Sequence, residues 1–144
     1  MKTWDINKHS VILRDEFEFK RNKVMLYHWL GWISLAMCVL LLIKYIGRVS
    51  KNKTINNALR KIHKPLGIAV IAIGAIHGVI SIIKTPQEIV ANILGLLVWL
   101  LIAFLALTFY ARKKLKSKWF KLHRIAAVLL VVGLVAHIAI AVAL

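Results

Sequence analysis

Four long apolar runs, separated by short polar segments, organise the chain: residues 24–47, 61–84, 88–111 and 121–144. Each is long enough to cross a hydrocarbon core of about 30 Å at a rise of about 1.5 Å per residue. Lipid supplies no water to satisfy open backbone groups, so each run is predicted to be a helix. The pattern predicts an all-α integral membrane protein, a four-transmembrane-helix bundle over residues 24–144 preceded by a polar tail over residues 1–23. Composition points the same way: 60% of the 144 residues are hydrophobic and only five are acidic, which is too apolar for a water-soluble domain. The tail mixes Asp15, Glu16 and Glu18 with Arg14, Lys20, Arg21 and Lys23 and does not read as a cleavable signal peptide. The single cysteine, Cys38, falls midway along the first run, where core packing is the simplest role.

A net charge of +16 could signal nucleic-acid binding, but its distribution argues for a membrane. Lys44, Arg48, Lys51, Lys53, Arg60, Lys61 and Lys64 surround the first connection, and Arg112, Lys113, Lys114, Lys116, Lys118, Lys121 and Arg124 surround the third, while the second has only Lys84. The positive-inside rule then places connections one and three in the cytoplasm and both termini outside a plasma or inner membrane. The basic residues of the tail run against that orientation. Acidic lipid headgroups account for most of the charge, and an acidic protein partner is the alternative.

Histidine changes the picture most. Of six histidines, four bracket two of the apolar runs: His63 and His77 in span two, His123 and His137 in span four, fourteen positions apart in each. Fourteen residues cover about 21 Å and about 1400°, some 40° short of four turns, so both histidines of a span look nearly the same way. If the chain alternates direction, spans two and four are parallel, His63 is level with His123 and His77 with His137. Two histidines about 21 Å apart cannot share an ion held at about 2.0–2.1 Å. Two sites at two depths, each with one histidine from each span, do fit, and a haem clamped between two imidazoles is such a site. The expectation is two stacked haems between helices two and four, with His63 and His123 on the inner iron and His77 and His137 on the outer. No Cys-x-x-Cys-His attachment motif is present, so both would be haem b.

A macrocycle between helices needs a bare face. From His63, Gly67, Gly74 and Gly78 fall at about 40°, 20° and 60° and line the histidine side, although Gly74-x-x-x-Gly78 also reads as a small-residue helix contact. The matching strip of span four holds Ala126, Ala127, Leu130 and Leu134. Pro65 suits a first helical turn, which would put His63 at the edge of regular geometry.

Two stretches carry a family resemblance over roughly residues 24–140. The run Trp119-Phe120-Lys121-Leu122-His123-Arg124, followed by a second histidine, resembles the haem-binding segment of the ferric reductase and NADPH oxidase transmembrane domain superfamily, and His63-Lys64-Pro65-Leu66-Gly67 resembles its partner helix. The resemblance implies a minimal four-helix diheme cytochrome b in which these four histidines ligate two haems that move electrons across the membrane. The chain departs from larger members in lacking flanking spans and a flavin or nicotinamide domain. It keeps both histidines on span two, whereas the related membrane subunit of the methionine sulfoxide reductase system lacks the first.

Arg60, Lys61, Lys64, Lys121 and Arg124 flank the inner histidines and could meet propionates, with snorkelling to the interface as the simpler role for any one of them. Lys20, Arg21, Lys23 and Lys84 are the candidates outside. His28 lies in Tyr27-His28-Trp29-Leu30-Gly31-Trp32, first of all an interfacial aromatic belt, alternatively a lining near the outer haem; His9 is a solvated tail residue. Three function classes remain. The leading one is electron transfer to a quinone, a ferric chelate or a redox protein, loaded by a separate donor protein because the chain has no Gly-x-Gly-x-x-Gly or phosphate-loop motif. The others are a haem or metal transporter, which usually shows intramembrane carboxylates or broken helices, and a structural subunit, for which matched membrane histidines would be costly.

Overall fold

The computed structural model describes residues 28–45 and 52–143, which are almost entirely helical. The polar tail, His9, Arg48, Lys51 and the tail cations expected near an outer haem lie outside the described residues. The helices are α1 (His28–Tyr45), α2 (Lys53–Lys84), α3 (Ile89–Tyr110), a single-turn α4 (Arg112–Leu115) and α5 (Lys118–Ala143). All but α4 are long and apolar enough to cross a membrane, the architecture of a multi-pass membrane protein.

Helix α2 begins well before its apolar run. Asn52 caps it, its side chain accepting from the backbone N–H of Thr54 at 3.0 Å and of Ile55 at 3.2 Å. With 32 residues the helix is about 48 Å long, so its polar first turns project beyond a hydrocarbon core of about 30 Å. The helix thus starts eight residues before the apolar span expected from Lys61. Pro65 is inside the helix, not in its first turn, and His63 is on regular helix, ten residues past the helix start. The N–H that proline lacks costs one helical bond, a loss that packed membrane helices tolerate.

The turn from α2 to α3 is built from polar side chains in an otherwise apolar bundle. Thr85 returns both its backbone N–H (2.8 Å) and its hydroxyl (3.1 Å) to the Ser81 carbonyl, and Pro86 prevents continuation. Asn92 then bridges the two helices, donating to the Thr85 carbonyl at 2.8 Å and accepting from the Ser81 hydroxyl at 3.0 Å.

Pairwise contacts fix direction and level. Ser81 meets Asn92, Gly74 meets Trp99 and Lys64 meets Tyr110, so α2 and α3 are antiparallel. Thr108 meets His123 and Ala91 meets His137, so α3 and α5 are antiparallel as well. Gly31 of α1 lies against His77. Helices α2 and α5 are therefore parallel, with His63, Thr108 and His123 at one level and His77, Gly95 and His137 at the other. Helix α3 packs against both α2 and α5, which make no close backbone approach to each other.

All four long helices meet in a small core of Cys38, Val70, Val98, Ile102 and Leu130. Cys38 is buried there with a free thiol. Large residues such as Ile68, Val79, Leu107, Val128 and Val135 face outward on α2, α3 and α5, as lipid contact requires. The bundle also repeats itself. Gly31 and Cys38 of α1 correspond to Gly95 and Ile102 of α3, each sixty-four positions on; Val70 and His77 of α2 correspond to Leu130 and His137 of α5, each sixty positions on. Glycine–histidine contacts and buried core positions thus recur in both hairpins.

Candidate functional site

His63 and His123 line one cavity of about 130 Å³. All four long helices line it, with Cys38 and Leu41 of α1 and Ile102 and Leu105 of α3 beside the two histidines. Gly67 also lines it, and a Cβ added there would meet nothing within 4 Å. Lys64 sits at its rim with Nζ 5.9 Å from the centre of the Tyr110 ring, so the one cation of α2 that lines the cavity is also held by an aromatic face.

The protonation pattern of His123 follows from its neighbours. Thr108, only 3% exposed, donates its hydroxyl proton to the Leu105 carbonyl at 2.8 Å, and its oxygen lies 2.9 Å from His123 Nδ1. A hydroxyl has one proton to give, so toward His123 it accepts; Nδ1 carries the hydrogen and Nε2 keeps its lone pair. His137 reaches the same state by another route. Its Nδ1 lies 3.1 Å from the Ala91 carbonyl, which can only accept. Both α5 histidines thus present an unprotonated Nε2, the form in which imidazole binds a metal. His63 is different: its Nδ1 is buried without a hydrogen-bond partner.

The outer rings are seated against neighbouring helices. The Cε1 of His77 is 3.0 Å from where a Cβ on Gly31 would stand, and the Cε1 of His137 is 3.0 Å from the equivalent point on Gly95. Helix period accounts for the turn. Fourteen residues fall about 40° short of four turns, and the same sense of rotation in two parallel helices on a diagonal swings one ring toward α1 and the other toward α3.

The three glycines read as a bare face part company. Gly67 opens on the cavity and Gly78 on free space, whereas Gly74 is covered by Trp99, whose Cδ1 stands 3.3 Å from a Cβ at that position. Trp99 is locked there by donating its indole N–H to the Ile71 carbonyl at 3.0 Å. Arg124 lies over the Phe120 ring at 5.8 Å and does not line the cavity, while Trp119 sets an edge against His123 with centroids 6.1 Å apart. His28 opens α1 and is exposed beside exposed Trp29 and Trp32, as in an interfacial belt. Among the described residues no group of three His, Cys, Asp or Glu side chains could hold a bare metal ion.

Thr108, Gly31, Gly95 and the Ala91 carbonyl are the parts that spacing alone did not single out. The glycines had a signal: Leu30-Gly31 and Leu94-Gly95 repeat sixty-four positions apart in spans one and three. Thr108 had none beyond being a hydroxyl in an apolar run. No family model, curated protein or solved structure matches this chain.

Proposed function

We propose that the chain is a diheme b-type cytochrome that passes electrons across a membrane, as the membrane component of a reductase, from a cytoplasmic-side donor protein to an acceptor outside such as a quinone, a ferric chelate or a redox protein. The observation that carries this reading is His63 and His123 lining one cavity, on two helices whose backbones make no close approach to each other. Haem, when bound, supplies one-electron chemistry at iron.

The four histidines suit the group in donor type and level, and the two of α5 also in tautomer. The cavity, at about 130 Å³, is narrower than the roughly 300–1,000 Å³ that holds cofactor-sized ligands. Binding therefore requires α2 and α5 to move apart, and no close backbone approach holds those two helices together. His63 and His123 would hold the inner group and His77 and His137 the outer, after the outer rings turn from their glycine seats toward the gap. Lys64 would meet an inner propionate. Buried packing around Cys38, Val70 and Leu130 keeps water from the space between the two levels.

Purified protein, expressed with ample haem supply, should show two low-spin haems b per chain by absorption and pyridine haemochrome analysis. His137→Leu and His77→Leu should each retain one. Protein that takes up no haem under these conditions would falsify the reading.

The basic ends of α2 and α5 support a cytoplasmic position for the inner pair. Lys53 and Lys116 stand at one end of the bundle and Gln87 at the other, and buried Cys38 leaves a low labelling background. Cysteines introduced at Lys53 and Lys116 should be protected from an impermeant thiol reagent in intact cells, and one at Gln87 should react. Reversed labelling reverses the proposed direction of electron flow.

A further inference from the structure

Helix α3 carries none of the four histidines, yet it holds both of those on α5. At the outer level it does so with a backbone carbonyl, Ala91, which any sequence would supply. At the inner level the Leu105 carbonyl also neighbours the ring, and α3 adds a side chain, Thr108, one of the few polar groups of the apolar run and buried to 3% exposure. A threonine in a membrane helix commonly returns its hydroxyl to a carbonyl three or four residues back, and Thr108 does so with Leu105 at 2.8 Å. That bond satisfies its proton and leaves its lone pairs over. His123 Nδ1, at 2.9 Å, takes one of them.

The repeat within the bundle sharpens the point. Gly31 corresponds to Gly95 and Cys38 to Ile102, and the same offset of sixty-four places Lys44 of α1 where α3 has Thr108. An ammonium group donates and cannot accept, so Lys44 cannot take an Nδ1 proton from His63. His63 Nδ1 indeed has no hydrogen-bond partner. The two rings that line the inner cavity are thus unequally held.

We propose that Thr108 is a positioning residue for the inner site: by accepting the Nδ1 proton of His123 it holds that ring in one tautomer and leaves Nε2 as the electron-pair donor available to the cavity. The identity of the acceptor of that electron pair rests on the diheme reading. The fixing of the tautomer does not. Outer-shell hydrogen bonds of this kind orient a ligating imidazole and raise its basicity, and their loss typically costs metal affinity about 10–100-fold.

The test uses the full chain in nanodiscs as wild type, Thr108→Val and Thr108→Ser, with thermal melts to show that each folds. Nitrogen-15 spectra of the haem-free protein should show Nδ1–H on His123 in wild type and T108S, and Nε2–H or a mixture in T108V. On haem titration T108V should weaken the inner site by about 10–100-fold and lower the share of the signal lost in His63→Leu, with the outer site unchanged and T108S restoring binding. The reduction potential of the residual inner haem should shift in T108V and return in T108S. Nε2–H on His123 in wild type overturns the proposal without needing any variant. Unchanged inner affinity and potential in T108V also overturn it, while leaving the diheme reading intact. If wild type binds no haem the diheme reading fails, and the nitrogen spectra decide the role of Thr108.

Discussion

Replacing Gly67 by leucine should abolish haem binding at the inner pair while leaving the haem-free bundle at least as stable as before. A Cβ at this position meets no atom within 4 Å, and the residue lines the cavity shared by His63 and His123. In a helix, leucine is favoured over glycine by about 0.8 kcal/mol, and its side chain would occupy space that is otherwise empty. A substitution that stabilises the empty fold and removes a ligand is hard to explain unless the ligand stands in that space. Thermal melts of the haem-free protein and haem stoichiometry of the reconstituted protein give the two readings. Unaltered occupancy of both sites in Gly67→Leu would show that no macrocycle lies against α2 at this level.

Gly95→Val should act on the other level and in the opposite thermodynamic sense. Its Cβ would stand 3.0 Å from His137 Cε1, and the ring cannot retreat freely because Nδ1 is tied to the Ala91 carbonyl. Overpacking of this kind costs about 1–3 kcal/mol, and a displaced ring adds an unpaired buried N–H. The variant should melt lower than wild type, and a ring pushed off the Ala91 carbonyl loses the bond that fixes its tautomer, so the outer haem should be lost, as in His137→Leu, with the inner one retained. Gly133→Ala is the control on the same pair of helices, since its Cβ would meet Val98 Cγ2 at 3.4 Å and Leu101 Cδ1 at 3.9 Å, ordinary van der Waals contacts. Equal losses in Gly95→Val and Gly133→Ala would mean that general repacking of α3 against α5, not the Nδ1 bond of His137 to Ala91, governs the outer site.

What could be read from the chain followed from what physical periodicity controls. The four spans are legible because a run of apolar residues has no other stable place than lipid or a large core. The levels of the histidines follow from a fixed rise per residue once neighbouring helices alternate. The start of α2 was not legible from hydropathy, because Asn52 sets it through a capping bond and the following turns are polar. Covering of a helix face was not legible either: Gly67 and Gly74 both fall on the histidine side, but only the tertiary arrangement brings Trp99 onto Gly74 and nothing onto Gly67. Thr108 matters through what lies across from it, which no single-helix pattern contains.

The correspondence between the two hairpins has a consequence for ancestry. Each hairpin brings one glycine, one ring seated on it and a second ring a few turns away, and among their differences is whether a threonine or a lysine neighbours the inner ring. One such hairpin, copied once and rotated half a turn about an axis running along the bundle, generates all four rings at both levels. A gene half this length would therefore encode the same arrangement if its product paired with itself. Fusion of two copies is then the step that frees each half to diverge, and the contrast between Thr108 and Lys44 is what divergence of a former symmetric pair would look like.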